Sequence, residues 1–295
     1  MRYRITHETQ FTYAAPVRFA RCNLRLKPIF WSGQTLVEHH LETIPSGEFS
    51  FGRADASLAN VTRLVIPTAV TDLRIVSHAV VDVDRAIPYI SADDPDLATV
   101  ARLARESRDV SAASPANYLF PSPMIAFDTA IADYCAQSLQ PSRRCLEAAI
   151  DLANRIQRDF AFNTDATQTD TPPAEAFAKG GGVCQDFAQI MIAGLRSAGL
   201  PAAYVSGYLR TIPPPGQPRL VGADATHAWV LLWCGPDLGW VGVDPTNGIW
   251  MAGDHIVTAI GRDYSEIAPI DGIFLGSGAR TMKVSVDVEP LHAGD

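Results

Sequence analysis

Apolar and polar residues alternate in short runs along the first part of the chain. The runs cover 2–6, 10–13, 23–27, 36–44, 61–66 and 73–83 and are rich in β-branched and aromatic residues. A period of two turns one face of a strand to a core and the other to solvent. Ala15-Pro16, Ser32-Gly33, Pro45-Ser46-Gly47, Phe51-Gly52 and Ile66-Pro67 punctuate the runs as turns. Several strands with no helical period between them predict a β-sandwich. Near Ile87-Pro88 the pattern changes. Asp93-Asp94-Pro95-Asp96 reads as a helix start, and Leu97, Val100, Ala101 and Ala104 follow at helical spacing. A loop over 111–123 leads to a second helix over 125–138. A third, over 142–160, puts Leu146, Ala149, Ile150, Ala153, Ile156 and Phe160 on one face.

A polar loop over 163–173 precedes the next helix, which starts at Cys184 and stops at Gly199, with Pro201 beyond. Strands are predicted at 203–209, 226–234, 240–243 and 282–288. The prolines at 213, 214, 215 and 218 make 211–223 an exposed loop. The pattern is that of an α+β chain in three parts. An N-terminal β-sandwich domain covers 1–90, a helical connector 91–142, and a mixed catalytic domain with a C-terminal strand 143–295.

Composition narrows the function. The chain has 295 residues, 47% hydrophobic and 19% charged, ample for a core. Its net charge of −8 argues against nucleic acid, whose phosphates need clustered Lys and Arg. No apolar run reaches the length of a membrane span, so no membrane partner is expected. The N-terminus lacks the apolar stretch of a signal peptide. Five cysteines without paired short spacing argue against a disulfide framework, and a reducing cytoplasm is the expected location.

The chemistry concentrates in three places. Gly180-Gly181-Gly182-Val183-Cys184-Gln185-Asp186 puts a thiol at a helix start, Thr226-His227-Ala228-Trp229 an imidazole at a strand start, and Val243-Asp244-Pro245 a carboxylate at a strand end. A free thiol has a pKa near 8.5, and the positive end of a helix favours the thiolate. His227 is placed to take and return a proton, Asp244 to hold the imidazole by its other N–H, and the Cys184 N–H to donate to an oxyanion. Each residue alone has an ordinary reading: a buried cysteine, a structural histidine, an aspartate forming a turn before proline. Three together at element ends point to nucleophilic catalysis on a carbonyl carbon. Asp186 reads as structural, tying loop to helix.

Around these the substrate side is read as Gly182, where the glycine run lets a backbone approach, Gln185 and Tyr208 as second oxyanion donors, and Trp229 as a cleft wall. Arg210 and Arg219 are candidates to meet a substrate carboxylate. The loops 163–173 and 211–223 would touch substrate. A metal site from Cys184 and His227 lacks the usual ligand spacings.

Gly-Val-Cys-Gln-Asp-Phe-Ala at 182–188, Ser-Gly-Tyr-Leu at 206–209, Asp-Ala-Thr-His-Ala-Trp-Val at 224–230 and Gly-Trp-Val-Gly-Val-Asp-Pro-Thr-Asn at 239–247 resemble the bacterial transglutaminase-like superfamily. That group is often labelled as cysteine proteases. Residues 3–16 with Val17, Leu24-Arg25-Leu26-Lys27-Pro28 and 77–83 resemble its N-terminal β region, and Tyr118-Leu119 with Pro121-Ser122 its connector. The resemblance implies a papain-like transglutaminase core, helices packed on an antiparallel sheet, with Cys184 as nucleophile, His227 as base and acid and Asp244 as orienter. It implies a thioester intermediate on a peptide or amide substrate, resolved by water in hydrolysis or by an amine in cross-linking. No cofactor is implied: animal relatives require calcium, and no loop here is spaced like a calcium site. Amidase or peptidase activity is the expectation, with acyl transfer to an amine, or a non-catalytic peptide-binding domain, as the alternatives.

Overall fold

The computed structural model describes residues 1–53, 57–211, 224–276 and 278–291. The alternating runs of the first part become β1 (Arg2–Val17), β2 (Phe19–Leu24), β3 (Gln34–Ile44), β5 (Leu58–Ile66) and β6 (Val70–Val83), and a further strand, β4 (Glu48–Arg53), lies where Phe51-Gly52 reads as a turn, because it pairs with β5. Alternation in β1 buries Tyr3, Ile5, His7, Thr9, Phe11 and Tyr13 on one face. Helices follow: α1 (Leu97–Arg105), α2 (Thr129–Ala136) and α3 (Cys145–Asp159). Asp96 and Asp128 cap the first two by accepting the N–H of Thr99 and of Ile131. The cap at Asp128 is why the second helix is shorter than the apolar spacing predicts.

The second half begins with β7 (Ala161–Phe162), α4 (Pro173–Lys179), β8 (Gly181–Gly182) and α5 (Cys184–Ser197). Then come β9 (Ala202–Leu209), β10 (Ala225–Trp233), β11 (Trp240–Asp244), β12 (Ile249–Trp250), β13 (His255–Gly261), α6 (Tyr264–Ile267), β14 (Ile270–Leu275) and β15 (Arg280–Leu291). Helix α4 and strands β13 and β14 are not predicted by the pattern. β13 is buried along its whole length, so it has no alternation to read.

Two sheets carry the fold. The first has the order β15-β1-β6-β3; the second runs β12-β11-β10-β9-β13-β5-β2-β14, with β4 on β5. Phe11, Tyr13, Leu73 and Ile75 of the first meet Cys22, Leu24, Leu64 and Ile66 of the second, which makes the N-terminal sandwich. The second sheet does not end there. β5 pairs with β13 through Ala59–Ala259 and Leu58–Ile260, which continues it into the later strands. The chain also returns at its end: β15 runs antiparallel to β1 from Arg2 to Tyr13. On the other side α5 packs on β9 and β10 and against α2, α3 and α4. Among the described residues, no helix is long and apolar enough to cross a membrane.

Candidate active site

The site is built where α5 begins. Helix α4 ends on Gly180, whose φ of 67° turns the chain into β8. β8 lies parallel to β7, with Phe162 beside Gly182. Asp186 then fixes the helix start. Its Oδ2 accepts the Val183 N–H at 2.8 Å and the Thr167 hydroxyl at 2.6 Å, joining the 163–173 loop to the helix. Cys184 is the first helical residue and is partly exposed.

His227 lies at the start of β10, opposite Gly207 of β9. Its Nε2 is 2.8 Å from Oδ2 of Asp244, the last residue of β11. Cys184 is the ring's other polar partner. Burial opposes a charge on His227. The hydrogen bond to Asp244, the one to Cys184, and the charges of the carboxylate and of a thiolate outweigh it and raise the imidazole to about 10.

Asp244 is fully buried and fully bonded. Oδ1 accepts the backbone N–H of Thr246 at 2.9 Å and of Asn247 at 3.3 Å. Oδ2 accepts from His227, from the Asn247 side chain at 2.6 Å, and from Nε2 of His255 at 3.3 Å. Burial pushes the carboxyl up, but the donors from His227, His255 and Asn247 hold it well below the usual carboxylate range. Sequence reasoning missed His255. The available signal was a histidine opening the apolar run 255–261. Asn247 lay in a quoted motif without a role.

The imidazoles of His227 and His255 and the carboxylate of Asp244 offer ligand atoms within 4.8 Å of one another. Their contacts are hydrogen bonds to one shared oxygen, and Nδ1 of His255 accepts the Ala252 N–H at 3.3 Å, so in the neutral ring Nε2 carries the hydrogen. That pattern fits a hydrogen-bond relay better than the lone-pair vertices a metal requires.

The residues expected on the substrate side fall elsewhere. Trp229 is fully buried. Two residues on from His227 in the same strand, it shares that face. It stacks on His227 with centroids 6.0 Å apart, meets His255 edge-on, and donates its indole N–H to Met251 Sδ. It backs the histidines rather than walling a cleft. Tyr208 pairs across the sheet with Thr226, one residue off, so it faces away from His227. Its hydroxyl meets His7 Nδ1 at 3.0 Å, on the face turned away from His227, and is not placed as an oxyanion donor. Gln185 donates to the Thr169 carbonyl at 2.7 Å and so holds the loop. Gly182 is buried, and the space its side chain would fill holds the Asp186 carboxylate, so its glycine serves the helix start and not an approaching backbone. Arg210 is paired with Asp254 at 3.2 Å, and Asp254 also accepts from the Tyr3 hydroxyl. Arg219 and most of the 211–223 loop lie outside the described residues.

Residues 129–245 match the transglutaminase-like superfamily, and residues 3–82 the bacterial transglutaminase-like N-terminal region. An uncharacterized protein of Mycobacterium tuberculosis is 35% identical over 297 residues, spanning 99% of this chain and 93% of that one. A protein-glutamine gamma-glutamyltransferase of Pseudomonas aeruginosa is 33% identical over 118 residues, 40% of this chain and 18% of that one. A crystal structure of a candidate cysteine protease from Cytophaga hutchinsonii superposes with a TM-score of 0.77 over 99% of this chain and 92% of that one. Its 18% identity makes this a likeness of fold.

Proposed function

This chain belongs to the transglutaminase-like superfamily, and from that premise we propose that it is a cysteine amidase or peptidase that hydrolyses its substrate through a thioester. The observation that carries the reading is the 2.8 Å contact between His227 and a buried, ionised Asp244, with Cys184 as a further partner of the ring. Cys184 Sγ attacks the carbonyl carbon while its proton rests on His227. The oxyanion takes a hydrogen bond from the Cys184 N–H at the helix start. The C–N bond breaks as His227 gives its proton to the leaving amine. Water then attacks the thioester, His227 takes its proton, and the carboxylic acid leaves as the thiol re-forms. Asp244 holds the ring throughout and stabilises its charged form.

The substrate is a peptide or another amide. Five free cysteines support a reducing compartment, and we place the enzyme in the cytoplasm. A second reading, transfer of the acyl group to an amine, is favoured by the likeness to the Pseudomonas aeruginosa protein-glutamine gamma-glutamyltransferase over 118 residues. One experiment separates them. A peptide and amide library is offered to the wild type and to Cys184→Ala, with and without a primary amine, and the products are weighed. Free acid formed only by the wild type, in undiminished yield beside the amine, is expected. An amide with the added amine as the main product favours the transferase, and equal turnover by Cys184→Ala removes the thioester.

A further inference from the structure

His255 is buried to 1% exposure, and no step of the reaction above uses it. Its ring is nonetheless fixed against the site from several sides. Asp244 at the end of β11 accepts its Nε2–H, and Trp229 of β10 packs edge-on at 5.1 Å between ring centroids. The charged and titratable groups that face it are Asp244, His227 of β10 and Arg85 from the segment after β6. Arg85 donates to the carbonyls of Ala252 and His255 and to that of Ser32, so the backbone under the ring is clamped to the N-terminal region. Burial pushes the His255 imidazole down, more than Asp244 pulls it up, so the ring is a neutral donor.

We propose that His255 is a positioning residue of this site: its N–H shares the Asp244 carboxylate with His227, and so limits how tightly His227 holds its proton once the thiol is acylated. The inference rests on the acyl-enzyme reading above. In the free enzyme the Cys184 sulfur helps to hold the proton on His227. In the acyl-enzyme that help is gone, and His227 must be neutral to take a proton from water. A carboxylate oxygen accepting three N–H bonds has its charge partly satisfied. Remove one donor and the remaining bonds strengthen, which keeps the imidazolium longer. With both neighbours on one oxygen, His255 tempers Asp244 without adding a charge.

The test blocks Cys184 with iodoacetamide, as an acyl group would, and follows the His227 Cε1–H by NMR against pH. His255→Phe removes the donor. His255→Gln keeps one, its amide N–H reaching the place of Nε2. The His227 midpoint is expected to rise by about one pH unit in His255→Phe, tenfold in proton affinity, and to stay within a few tenths of wild type in His255→Gln. Where His255→Phe lacks a cooperative melt, His255→Asn replaces it, since its shorter amide reaches Ala252 but not Asp244. An unmoved or lowered midpoint in the variant without the donor overturns the inference. If Cys184 alkylates no faster than free cysteine, the acyl-enzyme reading fails instead. Alkylation can still be driven to completion, so the titration reads His255 either way.

Discussion

Asp244 divides two tasks between its two oxygens. Oδ1 takes the N–H groups of Thr246 and Asn247 and closes the turn, while Oδ2 faces the histidines. The two readings the sequence offers for an aspartate before Pro245, turn former and orienter, are therefore not rivals. This is why position and residue type made the three side chains legible, whereas the residues around them were not. His255 and Asn247 reach the carboxylate through the fold, and no spacing announces that. The sequence reads Trp229 as a cleft wall, but period two fixes only its face, not whether that face is open, and it is buried. Asp244→Asn puts an amide where the imidazole N–H needs an acceptor. It is expected to lower kcat/KM on an activated ester such as p-nitrophenyl acetate by about a hundredfold or more, with the melting temperature reported beside it. Activity within a few-fold of wild type would remove Asp244 from the mechanism.

At the scale of elements, α5 is held at both ends by buried polar groups. Asp186 ties its start to the loop at Thr167. At its far end the buried Arg196 donates to the carbonyls of Ala202 and Arg262 and to the Ser122 hydroxyl, and burial lowers the guanidinium to about 10. The helix itself was plain in the sequence, with a glycine stop and one apolar face. Of its anchors, Asp186 reads from the sequence as a tie between loop and helix, and its bonds to Val183 and Thr167 make it one; Arg196 does not, because beside nearby Ala202 it reaches Ser122 and Arg262, distant along the chain. Asp186→Ala leaves the Val183 N–H and the Thr167 hydroxyl without their acceptor and is expected to cost about 1–3 kcal/mol in urea unfolding. Arg196→Met strands buried carbonyls and is expected to cost about 3 kcal/mol. Unfolding curves that superpose on wild type would show that the ends of α5 do not depend on these groups.

At the scale of the whole molecule, each of the two large sheets joins strands from the beginning and the end of the chain, and that is the least legible level. Alternation in 282–288 marks a strand but names no partner; the partner proves to be β1. β13 bridges the two halves of the large sheet, and its uniform burial erased the pattern that would have shown it. His7 sits where the first sheet covers the second, bonded to Tyr208 and Thr9, and burial lowers it to about 4. An unfolded histidine titrates near 6.5. Between these values the unfolded chain binds the extra proton, so stability is present above pH 6.5 and falls as pH drops toward 4, by about 3 kcal/mol from this group. His39 is lowered to about 4 as well and adds the same sign. Thermal melts of His7→Gln are expected to lose part of the pH dependence between 6.5 and 4. A slope equal to wild type would assign the acid sensitivity elsewhere.

The account depends on Cys184 being reactive because of its place beside His227 at the start of α5. The rate of its alkylation by iodoacetamide at pH 6, read by mass spectrometry against free cysteine, tests this directly. We expect Cys184 to react faster than the free thiol and to lose that advantage in His227→Ala. A wild-type rate no higher than that of free cysteine would contradict the account.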